Sequence, residues 1–227
     1  MAERSEDAER RIAETWQRNA GPWTTAVRAQ RIDSRRLVTD AAIVDAILQR
    51  RPRSLLDVGC GEGWLLRALA GRVPLRVGTD RVAALIAAAR RAGDGEFHVA
   101  SYEALAAGAL KQRFDVVSCN FALLGDTSVS ALFAALPALL AAGGACIMQT
   151  LHPHVACGEV PYADGWREGS WAGCGEGFSA PAPWYFRTLA SWIALFEAHG
   201  LRLREMREPL HPHTARPASV LFIAERG

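Results

Sequence analysis

The chain has 227 residues, half of them hydrophobic, which is enough for one sizeable core carrying insertions. Its formal charge of +2 rests almost wholly on arginine, with Lys111 the single lysine, and is too small to imply a nucleic-acid partner. Arg10-Arg11, Arg35-Arg36 and Arg50-Arg51 are brief and scattered, as solvated helix faces are.

In chain order, the first segment, MAERSEDAERR, is charged from its first turn and lacks the apolar core of a signal peptide. No later stretch is long and uncharged enough for a membrane span, so the expectation is a cytoplasmic protein without a membrane partner. Five cysteines, at 60, 119, 146, 157 and 174, are odd in number and form no CxxC pair, which fits reduced thiols.

Residues 6–50 read as helical, with Ile43, Val44, Ile47 and Leu48 on one face and a break expected near Gly21-Pro22. Strand-length apolar runs follow at 54–58, 75–79, 96–99, 114–119 and 145–150, separated by Ala/Leu/Arg-rich stretches of helical length. That alternation predicts an α/β protein in three layers, a Rossmann-like sheet of mostly parallel strands with helices on both faces. Residues 151–187 are rich in Gly, Pro and aromatics and read as an irregular lid or binding loop. Residues 189–199 then read as a helix closed by Gly200, and 201–208 and 219–224 as a hairpin that adds an antiparallel strand to the sheet edge. The expected organisation is an N-terminal helical lid, 1–50, and a main domain, 51–227, with an aromatic cap inserted at about 151–187.

The stretch LLDVGCGEGW, residues 55–64, is an apolar run ending in three alternating glycines. Their spacing is GxGxG, and Trp64 stands where the dinucleotide fingerprint GxGxxG requires glycine for close helix packing. Asp57 precedes the turn and Glu62 lies within it, so two carboxylates would repel a pyrophosphate from the helix N-terminus. They suit a ligand with a positive amino group and a sulfonium, as in the methionine half of S-adenosylmethionine (SAM). Asp80 ends the second strand in RVGTDR, where an acid can accept both ribose hydroxyls of either SAM or NAD.

LLDVGCGEGWLLRAL, VGTDR, FDVVSCNFALLGD and LLAAGGACIMQTLHP together resemble the successive motifs of the seven-stranded, class I SAM-dependent methyltransferases, over about residues 53–151. The resemblance implies that Gly59, Gly61 and the Asp57 region hold the methionine moiety, that Asp80 holds the ribose, and that Arg81 flanks the adenine. It further implies SAM as cofactor and S-adenosylhomocysteine as product. After the third strand the family usually carries an acid for the adenine amino group; here Ser101 stands in its place, followed by Tyr102. Asn120 and Phe121, ending the fourth strand, would line the path from sulfur to acceptor. N-terminal helices in related enzymes fold over the cofactor, so Trp16 and Trp23 could complete the enclosure and Arg28 or Arg35 could meet the cofactor carboxylate.

Methyl transfer is an in-line displacement, for which alignment alone can supply roughly 7–11 kcal/mol and no protein nucleophile is required. LHPH occurs twice, placing His152 and His154 after the fifth strand and His211 and His213 after the sixth. If both strands run parallel to the first, both segments reach the ligand-binding edge of the sheet. His152 is the candidate base or substrate hydrogen-bonding group, against the alternative of a loop histidine bonded to backbone. A zinc site from His152, His154, Cys157 and Cys174 lacks a recognised ligand spacing, and no metal is expected.

The aromatics Tyr162, Trp166, Trp171, Phe178, Trp184, Tyr185 and Phe186 suggest a lid over a small-molecule acceptor, aromatic or carboxylate-bearing, with Arg167 and Arg187 as charge partners. The competing functions are a nucleic-acid or protein methyltransferase of the same fold and a non-catalytic SAM-binding protein. NFAL, where methylases of exocyclic base nitrogens carry [DN]PP[YF], and the lack of length for an RNA-binding module disfavour a nucleic-acid partner.

Overall fold

A computed structural model describes residues 2–227. The N-terminal segment forms one helix, α1 (Ala2–Arg28), that passes through Pro22 without the expected break. Proline removes a backbone donor and disfavours a helix interior. The helix persists because both sides of that point are anchored, Ala20, Trp16 and Trp23 packing against Val82 and Leu85. The chain instead turns after Arg28 and re-enters helix as a π-helical turn, Arg35–Thr39, continuous with α2 (Asp40–Gln49).

The predicted alternation follows: β1 (Ser54–Val58), α3 (Trp64–Ala68), β2 (Leu75–Asp80), α4 (Ala83–Ala92), β3 (Glu96–Val99), α5 (Tyr102–Ala106), β4 (Phe114–Asn120), α6 (Thr127–Leu139) and β5 (Leu140–Thr150). β5 begins earlier than the apolar run suggests, because a register irregularity against β4 between Phe114 and Val116 accommodates the extra residues. Residues 151–187 carry more order than an irregular loop: a turn of helix, α7 (Pro153–Ala156), and a small hairpin of β6 (Gly165–Arg167) and β7 (Trp184–Phe186). Then come α8 (Leu189–Ala198), β8 (Leu201–Arg207) and β9 (Val220–Arg226).

The main sheet has seven strands in the order β3-β2-β1-β4-β5-β9-β8. The first five run parallel, and β9 lies antiparallel between β5 and β8, so β8 is again parallel to β1. Period-two alternation divides the core. Leu56, Val58, Phe222 and Ala224 pack with α6 and α8, whereas Leu55, Leu221 and Ile223 pack with α2, α3 and α4. Both sheet faces are therefore dry, and ligands are left the crevice at the carboxyl ends of the strands, where the order reverses between β1 and β4.

Candidate active site

The β1–α3 turn needs its glycines individually. Gly59, Gly61 and Gly63 have φ of +74°, +57° and +82°, conformations costly for residues with a Cβ. A Cβ at Gly59 would lie 2.3 Å from that of Ala122, and one at Gly63 would lie 2.8 Å from the Phe97 ring. At Gly61 the nearest atom would be the Trp23 indole nitrogen, 3.5 Å away. This stretch of backbone therefore faces open space under an indole.

The turn opens into a cavity of about 610 Å³, within the range of small-molecule sites. Gly59, Gly61, Asp80, Arg81, Ser101, Tyr102, Asn120 and Phe121 all line it. Asp80 accepts from the backbone N–H of Gly61 at 3.0 Å and of Val82 at 2.8 Å, fixing its carboxylate beside the turn. Ser101 caps α5, accepting from Ala104 N at 3.2 Å. The Tyr102 hydroxyl donates to Ala122 O at 2.8 Å, pinning the backbone that faces Gly59. Gln149 donates to Asn120 Oδ1 and to Thr39 O, each at 2.9 Å, leaving the Asn120 N–H groups uncommitted. Phe121 is held at φ +52°, a strained conformation for a bulky residue, by its own N–H bonding Gln149 O at 2.8 Å.

Asp57 and His152 are not part of this wall. Asp57 is buried beneath the turn and accepts from Ser118 Oγ at 2.8 Å. Burial pushes its carboxyl from 3.8 up to about 7, the Ser118 bond opposes the rise, Asp80 adds to it and Arg35 reduces it. Burial also raises Asp80, against its two backbone N–H bonds. His152 is buried at the end of β5 with Nε2 2.6 Å from Glu208, just past β8. Since β8 is parallel to β5, the two LHPH segments do share one sheet edge, but the imidazole staples the strand ends together instead of facing the cavity.

Three further expectations are corrected by the packing. Glu62 is not an unbalanced charge: its fully buried carboxylate receives Arg28 Nε at 2.7 Å and Arg67 Nη2 at 2.5 and 2.7 Å. Asp57 lies beneath the turn and outside the cavity wall, so Asp80 is the acid that faces a ligand there. Arg28, so engaged, does not reach for a ligand. Arg167 does not line the cavity and bonds the carbonyls of Pro161 and Ala163 through Nη2, while Arg187 is committed to the carbonyls of Gly125 and Asp126 and to the Asp126 carboxylate. Among the described residues, no three His, Cys, Asp or Glu side chains converge as metal ligands.

Sequence reasoning missed Glu9. It reaches from α1 to accept from Asp126 N, Ser128 N and Ser128 Oγ at 2.7, 3.3 and 2.8 Å, satisfying free N–H groups at the start of α6. No local motif signals this cap, because its donors lie more than a hundred residues away. Trp184, Tyr185, Phe186 and Trp192 line the same cavity. α1 and the cap meet above: Trp16 is edge-on to Trp171 at 5.4 Å, Trp171 stacks on Phe178 at 4.5 Å, and Asn19 accepts from Ser179 N at 2.8 Å.

A glycine turn at the switch point of a seven-stranded sheet, with an acid at the tip of the second strand, defines a class of nucleoside-binding proteins. Comparison with known proteins agrees. Residues 29–206 match the family described as "Methyltransferase domain". An uncharacterized methyltransferase of Mycobacterium tuberculosis is 26% identical over 163 residues, covering 71% of this chain and 80% of that protein. Among solved structures, a SAM-dependent methyltransferase of Clostridium acetobutylicum superposes with a TM-score of 0.65 at 11% identity, covering 90% of this chain and 96% of that one. A SAM-bound amino pentose methyltransferase of Micromonospora echinaspora superposes with a TM-score of 0.60 at 25% identity, covering 82% and 89%. The chain belongs to the methyltransferase domain family and is a SAM-dependent methyltransferase of the seven-stranded class.

The residues present fit that cofactor. The backbone at Gly61 is open to a ligand chain, and Asp80 is fixed beside it with lone pairs to spare.

Proposed function

We propose that the protein methylates a small-molecule acceptor seated against the aromatic wall of Trp184, Tyr185, Phe186 and Trp192. The observation that carries this reading is the single cavity running from the glycine turn to that wall, roofed by α1 and the cap. An enclosed space of this kind suits a compact acceptor better than a polymer. Similarity to an enzyme acting on an amino pentose supports the same class.

In this reading Gly59 and Gly61 hold the methionine chain, Asp80 the ribose, and Arg81, Ser101 and Tyr102 border the adenine. When bound, SAM supplies the electrophilic methyl group. The chain's contribution is alignment and exclusion of water: Asn120 and the strained Phe121 form the waist between the two ends, and α1 with the cap forms the lid. Because Arg167 lies outside the cavity wall and Arg187 is bonded to Gly125 and Asp126, the aromatic walls select the acceptor, and a carboxylate on it is not required.

His152 acts in this scheme as a structural staple to Glu208. His152→Ala should leave the pH profile of turnover unchanged; loss of its acidic limb would restore the imidazole as a base. Transfer of radiolabelled methyl from SAM, screened over amines, phenols, carboxylates, RNA and protein, tests the acceptor class. Labelling of RNA or protein alone would overturn it, and failure on every class would favour a non-catalytic SAM-binding protein.

A further inference from the structure

α1 presents Glu9, Ile12, Trp16 and Trp23 to the cavity, a stripe at helical spacing. Trp23 lies over the backbone at Gly61. Glu9 stands about four turns earlier on the same helix, about 21 Å away along its axis at 1.5 Å per residue, and so well removed from the glycine turn.

The half-buried Glu9 carboxylate is received by a clearing in the loop after β4. A Cβ at Gly125 would overlap both of its oxygens, so glycine alone admits it. The Gly125 carbonyl in turn accepts from Arg187 Nη1 at 2.8 Å, and that guanidinium lies 4.7 Å from the centre of the Tyr185 ring and 5.1 Å from that of Trp192. Glu9 and the aromatic wall therefore meet across one residue. Asp126, the N-cap of α6, makes no side-chain cap bond, and its Oδ1 receives Arg187 Nη2 at 3.0 Å. Glu9 supplies the cap in its stead with only part of its capacity. Oε1 takes the Asp126 and Ser128 N–H groups and the Thr127 hydroxyl, whereas Oε2 takes the Ser128 hydroxyl alone. A carboxylate oxygen has a second lone pair, and Glu9 lies on the cavity wall.

The surroundings favour a cation. Asp126, Asp164 and Glu9 all act on Arg187, raising a guanidinium that burial lowers. Three carboxylates facing one cation leave the group negative beside aromatic faces, which themselves attract an ammonium. Arg167, 5.1 Å from the Phe186 ring, does not line the cavity. Of the other carboxylates on the cavity wall, Asp33 and Glu103 are exposed and Asp80 is fixed beside the glycine turn.

We propose that Glu9 binds the acceptor as an ammonium group through the free lone pair of Oε2, which makes the enzyme an N-methyltransferase of small amines. This rests on the reading of the aromatic-walled cavity as the acceptor site. The bound ammonium gives one proton to water; the nitrogen lone pair then forms the N–CH3 bond as the S–CH3 bond breaks and its electron pair returns to sulfur. Because the anion arrives on α1, the acceptor site is complete only when that helix is docked.

Calorimetric titration of phenethylamine and of 2-phenylethanol into protein saturated with S-adenosylhomocysteine tests this, since the two probes share a shape and differ in charge. The wild type should bind the amine at least about tenfold more tightly than the alcohol, equivalent to about 1.4 kcal/mol. Glu9→Gln keeps an oxygen for the cap; it should abolish the preference by weakening the amine alone, with the alcohol and S-adenosylhomocysteine within twofold of wild type. A wild type that does not prefer the amine, or a preference that survives in Glu9→Gln, overturns the proposal while leaving a small-molecule site. Weakened S-adenosylhomocysteine in Glu9→Gln also overturns it, by placing the carboxylate in the cofactor site. Binding of neither probe overturns the acceptor-site reading as well. Should Glu9→Gln fail to fold, labelled methyl transfer from SAM to tyramine in the wild type decides the matter: label on the nitrogen is expected, and label on the phenol oxygen overturns the proposal.

Discussion

Gly59 concentrates two constraints in one residue. Its φ of +74° penalises any side chain, and a Cβ would stand 2.3 Å from that of Ala122. Gly59→Ala should destabilise the protein by about 1–3 kcal/mol in thermal denaturation and abolish calorimetric binding of S-adenosylhomocysteine. Two residues earlier, Asp57 makes a pH-dependent contribution. Its carboxyl titrates near 7 in the folded protein, chiefly through burial, against 3.8 ordinarily. Raised in the folded state, it favours folding fully below pH 4 and progressively less as pH climbs from about 4 to about 7. The cofactor-free protein should therefore lose part of its stability over that window. Asp57→Asn, which keeps the acceptor for Ser118, should flatten the loss when melting temperature is measured against pH.

At the scale of elements, α1 is bound in place by chemistry at both ends. Glu9 caps α6 near its start, and Arg28 joins the Glu62–Arg67 pair near its close. Between them Trp16 and Trp23 pack on Val82 and Leu85. Glu9→Ala should cost about 1 kcal/mol or more in global stability, and hydrogen exchange should quicken first at the α6 N-terminus. Protection lost only within α1 would mean that the carboxylate does not serve as the cap. This tertiary support also explains why Pro22 fails to break the helix.

For the molecule as a whole, the site is completed by two segments far apart in the chain, α1 and the cap. Contact between Trp16 and Trp171, and between Asn19 and Ser179, closes the roof across some 155–160 positions of sequence. Trp171→Ala should accelerate amide exchange over residues 168–182 while leaving the parallel strands protected. Equal acceleration in β1 and β4 would show that the indole supports the core instead of the roof. No helix of the described residues is long and apolar enough to cross a membrane.

Much of this architecture was legible in the residues themselves. The succession of strands and helices and the glycine turn depend on local periodicity and on backbone angles that only certain residues tolerate, so LLDVGCGEGW and the apolar runs announce them directly, whereas the insertion of β9 between β5 and β8, in place of an antiparallel strand at the edge, is a tertiary outcome. Chain order also places Asp80, Ser101 and Asn120 at strand ends, where the cavity is found. What the sequence could not settle was the fate of each charge. Glu62 looks like a free acid in the turn and His152 a free base after a strand, yet Arg28 and Glu208 occupy them; Glu9, one of several acids in the first helix, keeps a lone pair on the cavity wall. Ion pairing acts through space over a few ångströms and is indifferent to separation along the chain, so only the tertiary structure decided which groups are spent and which remain for a ligand.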